Sequence, residues 1–227
     1  VYKRQDFDLA VDMLDQAREL AEESGATPLA SVALGYRAEY HALVGRLEEA
    51  DRMLEELSDY VEGRGMDYAA SLHGLFLAST SIVSDPEASR AVSIELMDAF
   101  ATVAPDYGPG FGANAVASVA TGATGDTQAT LRLVTEAKAA YERTNHDDGL
   151  PDLLLAPAAL AWRNGDLATA RRLLSAVRHS PKPTQTFQLT TMYRLLRNEV
   201  GPLDPNPLQT AHLDDIYEES IAWMKTL

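Results

Sequence analysis

The chain has 227 residues, 46% apolar and 23% charged, with no cysteine and a formal net charge of −15. The missing thiols exclude a disulfide framework, cysteine-ligated zinc and a thiol nucleophile, and fit a reducing, cytoplasmic setting. No run of about eighteen apolar residues exists to span a bilayer, and the acidic balance opposes binding to nucleic acid or anionic lipid.

Residues 1–5, Val1-Tyr2-Lys3-Arg4-Gln5, look like the translated end of a transposon-derived sequencing adapter and are set apart as a scar. From Asp6 onward Leu9, Met13, Leu14, Ala17 and Leu20 recur at helical spacing and predict a helix over 6–24. It reads as the second helix of a repeat whose first helix lies upstream. Residues 6–227 are therefore expected to form one repeat domain of a longer protein. The apolar face of Leu9, Met13 and Leu20 is expected to fray or self-associate.

Helices are then predicted at 29–44, 46–62, 67–84, 86–104, 110–124, 126–144, 150–164, 166–179, 185–200 and 208–226, which makes eleven with the first. The breakers between repeats are Gly25 through Pro28, Gly63 through Gly65, Pro105 through Gly112, Asn145 through Pro151 and Ser180 through Pro183. Tighter signals at Gly45-Arg46, Ser84-Asp85-Pro86, Gly125-Asp126 and Gly165-Asp166 read as turns inside helical hairpins. There glycine supplies a positive φ, Asp85, Asp126 and Asp166 cap the next helix, and Pro86 suits its first turn.

Stacking positions forty residues apart exposes the repeat: Ala10, Ala50 and Ala170; Leu14, Leu54, Ile94, Val134 and Leu174; and the small column Ala38, Ala78, Ser118 and Ala158. The small residues are expected where paired helices cross closely, and the larger ones between hairpins. Gly45-Arg46-Leu47-Glu48-Glu49-Ala50 and Gly165-Asp166-Leu167-Ala168-Thr169-Ala170 resemble the Gly-Asp-aromatic-x-x-Ala stretch that opens the second helix of a tetratricopeptide repeat. The resemblance spans residues 6–200 and implies an all-α, right-handed superhelical solenoid of antiparallel helix pairs. Its departures are a period about six residues longer than the usual 34, Leu47, Thr127 or Leu167 in place of the aromatic, and Arg90 and Thr130 in place of the alanine. The longer repeats also resemble the sensor regions of large bacterial signal-transduction ATPases and related transcription or cyclase-linked regulators.

Charge is uneven. Residues 1–100 carry twenty acids and eight bases, and residues 101–227 fourteen and eleven. From Arg163 to Arg197, Arg163, Arg171, Arg172, Arg178, Lys182, Arg194 and Arg197 face the single acid Asp166. This stretch reads either as a solvated, internally paired face or as a docking surface for an acidic partner, including the acidic end of another copy.

Chemistry has little to stand on. Gly108-Pro109-Gly110-Phe111-Gly112 lacks the Gly-Lys-Ser/Thr ending of a phosphate loop and is expected to be a flexible connection. The Ala/Gly-rich helix after it is expected to be the weakest part of the core and the place where a hinge would lie. His41, His73, His146, His179 and His212 have no ligand spacing, and His212, Asp215 and Glu219 read as a solvated stripe. Asn145 through Gly149 lacks the length and closing Glu of a calcium loop, and no Gly-x-Ser-x-Gly elbow occurs. No cofactor, metal or catalytic residue is assigned.

The expected function is a non-catalytic scaffold that binds a protein or peptide. Its first helices would line the inner curve and offer Tyr36, Glu39, Tyr40, Trp162 and Arg163 as contacts. Tyr36 and Trp162 have core packing as their competing role. The alternative is the ligand-sensing C-terminal region of a multidomain bacterial regulator or signalling ATPase or cyclase.

Overall fold

In a computed structural model the structure describes residues 4–62, 67–103, 108–144, 150–180, 187–209 and 211–227. Among the described residues all regular elements are helical: α1 (Arg4–Glu23), α2 (Thr27–Leu43), α3 (Leu47–Val61), α4 (Asp67–Ser81), α5 (Pro86–Val103), α6 (Gly108–Thr124), α7 (Thr127–Thr144), α8 (Leu150–Leu153), α9 (Leu155–Arg163), α10 (Leu167–His179), α11 (Phe187–Val200) and α12 (Leu213–Met224), with a 3-10 turn at Pro207–Gln209. No helix of the described residues is long and apolar enough to cross a membrane. The breakers expected at Gly63 through Gly65, Asn145 through Gly149 and Pro181 through Pro183, like residues 1–3, lie outside the described residues.

Contacts gather the chain into two compact units, residues 1–80 and 81–227. In the first, α2 packs against α1 and α3. Leu34 and Ala38 of α2, Met53, Leu54 and Leu57 of α3 and Phe76 of α4 make its core. The Phe76 ring lies so close to Gly35 that a β-carbon there would stand 1.9 Å from a ring carbon, so side-chain absence at 35 sets the approach of α2 and α4. Arg18 joins Glu22 at 2.9 Å and Glu56 of α3 at 2.7 Å, and Arg37 of α2 joins Asp15 of α1 at 2.8 Å. Leu9, Met13 and Leu20 on one face of α1 are 59–65% exposed.

In the second unit α6 is the hub. It packs on α5, α7 and α9, and all residues from Ala115 to Ala123 are buried. The expectation that this Ala/Gly-rich helix is the weak part of the core is corrected here, because its small residues permit close approach rather than leave space. A β-carbon on Gly122 would lie 2.4 Å from the Ala156 carbonyl oxygen of α9. The flexible connection expected at Gly108 through Gly112 is also corrected. Helix α6 begins at Gly108, and Pro109 suits a first turn whose N–H groups have no intrahelical acceptor.

The hairpin turns follow the sequence. Gly45, Gly125 and Gly165 have φ of +80°, +89° and +78°, a left-handed conformation that side-chain-bearing residues avoid. Asp85, Asp126 and Asp166 accept hydrogen bonds from the backbone N–H of Ala88, Ala129 and Thr169 at 3.1, 3.0 and 3.1 Å. The small columns are buried at Ala38, Ala78, Ser118, Ala158, Ala50 and Ala170.

The two repeats that lose the alanine make a different joint. Arg90 Nη2 reaches Asp126 Oδ2 at 3.0 Å, and Thr130 Oγ1 donates to the Asp126 carbonyl at 2.6 Å. Together with the Ala129 N–H, Arg90 holds the Asp126 carboxyl below its ordinary range.

Three departures from the expected boundaries go beyond two residues at a helix end. The helix expected at 150–164 is two segments separated at Leu154, because Pro157 has no N–H to return to the Leu153 carbonyl. The helix expected at 208–226 starts at Leu213, where the His212 N–H donates to Asp215 Oδ2 at 3.1 Å. Helix α4 ends at Ser81, three residues early, in the turn before Asp85.

Candidate docking face

The five sequence-predicted contact residues fall in different surroundings. Tyr36 is half-buried, its ring edge-on to Phe76 with centroids 5.3 Å apart, so it belongs to the packing of the first unit. Glu39 is fully buried and is corrected as a surface contact. Its Oε1 accepts a 2.5 Å hydrogen bond from Ser79 Oγ, while Oε2 has no hydrogen-bond partner among the described residues. Burial pushes its carboxyl up to about 8, against the opposing pull of the Ser79 hydrogen bond. Tyr40 is half-buried.

Trp162, half-buried, and Arg163, exposed, end α9 in the second unit. The stem of Arg163 passes within 3.4 Å of the position a β-carbon would take on Gly125, beside the α6–α7 turn. Structure therefore brings Tyr36 and Glu39 together through Phe76 and Ser79 on α4, and Trp162 with Arg163 at one hairpin end.

The basic stretch resolves into two kinds of arginine. Arg171 Nε donates to the Val200 carbonyl at 2.8 Å, and Arg172 pairs with Glu219 of α12. These two tie α10 to the elements after it. Arg178 at the end of α10 and Arg197 at the end of α11 are exposed, and no carboxylate lies in ion-pair range of either among the described residues. Burial pushes the Tyr193 hydroxyl up, and the charges of Arg178, Arg197 and Arg194 oppose that push.

A second feature lies between α7 and α12. A groove of about 430 Å³ is lined by Leu131, Thr135, Lys138, Tyr217, Ile221 and Lys225, among others. Lys138 Nζ sits 5.4 Å from the Tyr217 ring centre and 2.5 Å from Glu142 Oε1. The Lys138 charge is thereby paired in place, and Lys225 is the exposed cation of the groove.

Asp152 of α8 is 6% exposed, with Oδ1 unpartnered among the described residues. Burial pushes its carboxyl up to about 7, and its charge helps raise the neighbouring Tyr141 hydroxyl. Both groups are enclosed, which suits a structural acid better than one meeting a substrate. No group of three or more His, Cys, Asp or Glu among the described residues could hold a metal ion. Reading by sequence alone missed Tyr193, Lys138, Tyr217 and Asp152. For Tyr193 the available signal was its position one residue before Arg194 and one turn before Arg197.

Comparison with protein-family models, with curated proteins and with solved structures gave no match.

Proposed function

We propose that this chain is a right-handed α-solenoid of tetratricopeptide-like hairpins that binds a protein or peptide segment and carries out no chemistry of its own. The supporting observation is that residues one forty-residue period apart touch: Tyr36 with Phe76 through their rings, and Glu39 with Ser79 through a hydrogen bond. Contact between equivalent positions is what stacked repeats produce, since each unit completes its neighbour's core. Surface residues such as Trp162, Arg163, Arg178 and Arg197 are then left for recognition.

The test is cross-linking of the purified chain in a lysate of its source, with mass spectrometry of the products, for the wild type and for a Trp162→Ala, Arg163→Ala variant. A defined partner should couple to the wild type and be depleted on the variant, with circular dichroism unchanged. A cross-link profile identical to that of an unrelated acidic helical protein would overturn the reading.

A further inference from the structure

We infer that the exposed face of α1, in the first unit, is the docking site for a basic amphipathic helix of a partner protein. The inference goes beyond the scaffold reading, which is tested at Trp162 and Arg163 of the second unit.

At about 100° per residue, Leu9, Leu20 and Met13 fall within about 40° of one another and make an apolar stripe about 17 Å long. They are 59%, 65% and 61% exposed. Asp12, Glu19 and Glu23 lie about 40–80° to one side of Leu9 and are exposed as well. Among the described residues no base lies in ion-pair range of these three acids. Two acids that turn further round, about 120–140° from Leu9, are paired: Asp15 with Arg37 of α2, and Glu22 with Arg18, which also holds Glu56 of α3. Arg18 and Arg37 are thus committed to the side facing the neighbouring helices. The outward side keeps its carboxylates unpaired beside its leucines.

An apolar stripe edged by unpaired carboxylates is complementary to a helix with large apolar residues at i, i+3, i+4 and i+7 and lysine or arginine beside them. About three turns of such a helix match the stripe in length. Burial of the stripe supplies the affinity, and the charge pairs at its edge set orientation and choice of partner. The same charges disfavour other occupants. Nucleic acid and an anionic bilayer are repelled by the acidic row. A second copy brings an identical row and its own net charge of −15, so it is favoured only where salt screens the repulsion.

Helix α3 supplies the contrast that separates this contact from general attraction to an acidic protein. Its Asp51, Glu55 and Asp59 are exposed at i, i+4 and i+8 with no ion-pair partner among the described residues. Of its large apolar side chains only Leu47, at the helix start, is exposed.

The test is fluorescence anisotropy with a labelled peptide of about five helical turns, leucines on one face and lysines beside them, at a salt concentration where the Debye length is about 8 Å. We expect saturable binding that weakens as salt is raised. A peptide of the same composition with its leucines scattered round the helix should bind at least about tenfold more weakly. Asp12→Asn with Glu19→Gln and Glu23→Gln should weaken binding about tenfold, three edge pairs being lost. Leu9→Gln with Met13→Gln and Leu20→Gln should weaken it at least about a hundredfold. Asp51→Asn with Glu55→Gln and Asp59→Asn removes the same charge from α3 and should leave affinity within about twofold. Melting curves check the fold of each variant, and Leu20→Gln alone keeps the apolar arm readable where the triple substitution melts early.

Absence of saturable binding would overturn the inference. So would equal binding of the scattered peptide or an equal loss in the α3 variant, since either reduces the contact to charge attraction. Self-association at the assay salt that the peptide displaces would give the face to a second copy instead. The cross-linking comparison turns on Trp162 and Arg163, so the scaffold reading stands or falls without α1.

Discussion

Ser79 Oγ on α4 donates a 2.5 Å hydrogen bond to Glu39 Oε1 on α2, joining two buried side chains forty residues apart. The carboxyl, pushed up to about 8, is mostly protonated at neutral pH, so the core of the first unit holds an acid rather than an ion. Its folded value lies above the unfolded one of 4.5, so the folded state binds the extra proton. The associated stability is fully present below pH 4.5 and is lost as pH rises through about 8.

Thermal melts between pH 5 and 9 should therefore show the wild type losing stability with rising pH, by on the order of a few kcal/mol. General charge repulsion acts in the same direction, so the decisive quantity is the difference between wild type and Glu39→Gln, which keeps an acceptor for Ser79. That difference should grow between pH 5 and 8 and then level. Parallel curves would show Glu39 to be ionised in the fold.

The crossing of α6 and α9 depends on Gly122, because a β-carbon there meets the Ala156 carbonyl at 2.4 Å, and backbone cannot rotate aside as a side chain can. Gly122→Ala should destabilise the protein by about 1–3 kcal/mol through overpacking, despite alanine's better helix propensity. Chemical denaturation would measure it. A neutral or stabilising result would mean that the two helices are further apart.

Asp126 combines two duties that Asp166 does not. Each caps a helix, but Asp126 also receives Arg90 at 3.0 Å. Asp166→Ala should cost about 1 kcal/mol, the usual value of an N-cap. Asp126→Ala should cost more, and most of the excess should vanish in an Arg90→Ala background. A double-mutant cycle reads the coupling directly, and a value of zero would reduce the Arg90 contact to an incidental surface pair.

What could be read from the sequence was local. A Gly-Asp pair specifies its own turn and cap within three residues, so Gly125, Asp126, Gly165 and Asp166 were legible. Glu39 was not, because a carboxylate on a helix is ordinarily solvated, and only Ser79, one repeat away, makes its burial tolerable. The small residues of α6 were ambiguous. Alanine and glycine mark either looseness or close contact, and the neighbour decides which: Ala156 decides it for Gly122. The break at Leu154 did have a signal in Pro157, which the strong apolar run around it obscured. The arginines of 163–197 were visible as a charge count, but which of them are tied up internally, as Arg171 is by the Val200 carbonyl and Arg172 by Glu219, required the packing of the elements after α10.

Leu9, Met13 and Leu20 raise a question of solubility rather than of core packing, since they are 59%, 61% and 65% exposed along one face of α1. Each leaves most of its side chain in water, so replacing all three by glutamine should cost little folding stability. If two such faces met, each buried leucine or methionine would contribute about 1.5–3 kcal/mol, enough for association at high protein concentration against the net charge of −15. Sedimentation velocity should therefore show the wild type self-associating more as salt is added and repulsion is screened, while the triple glutamine variant remains monomeric. Association that weakens with salt would point instead to an ionic contact. Hydrogen exchange in a verified monomer should show α1 protected less than α10, whose Leu173, Leu174 and Val177 are buried. Equal protection of the two helices would mean that the exposed face carries no local instability.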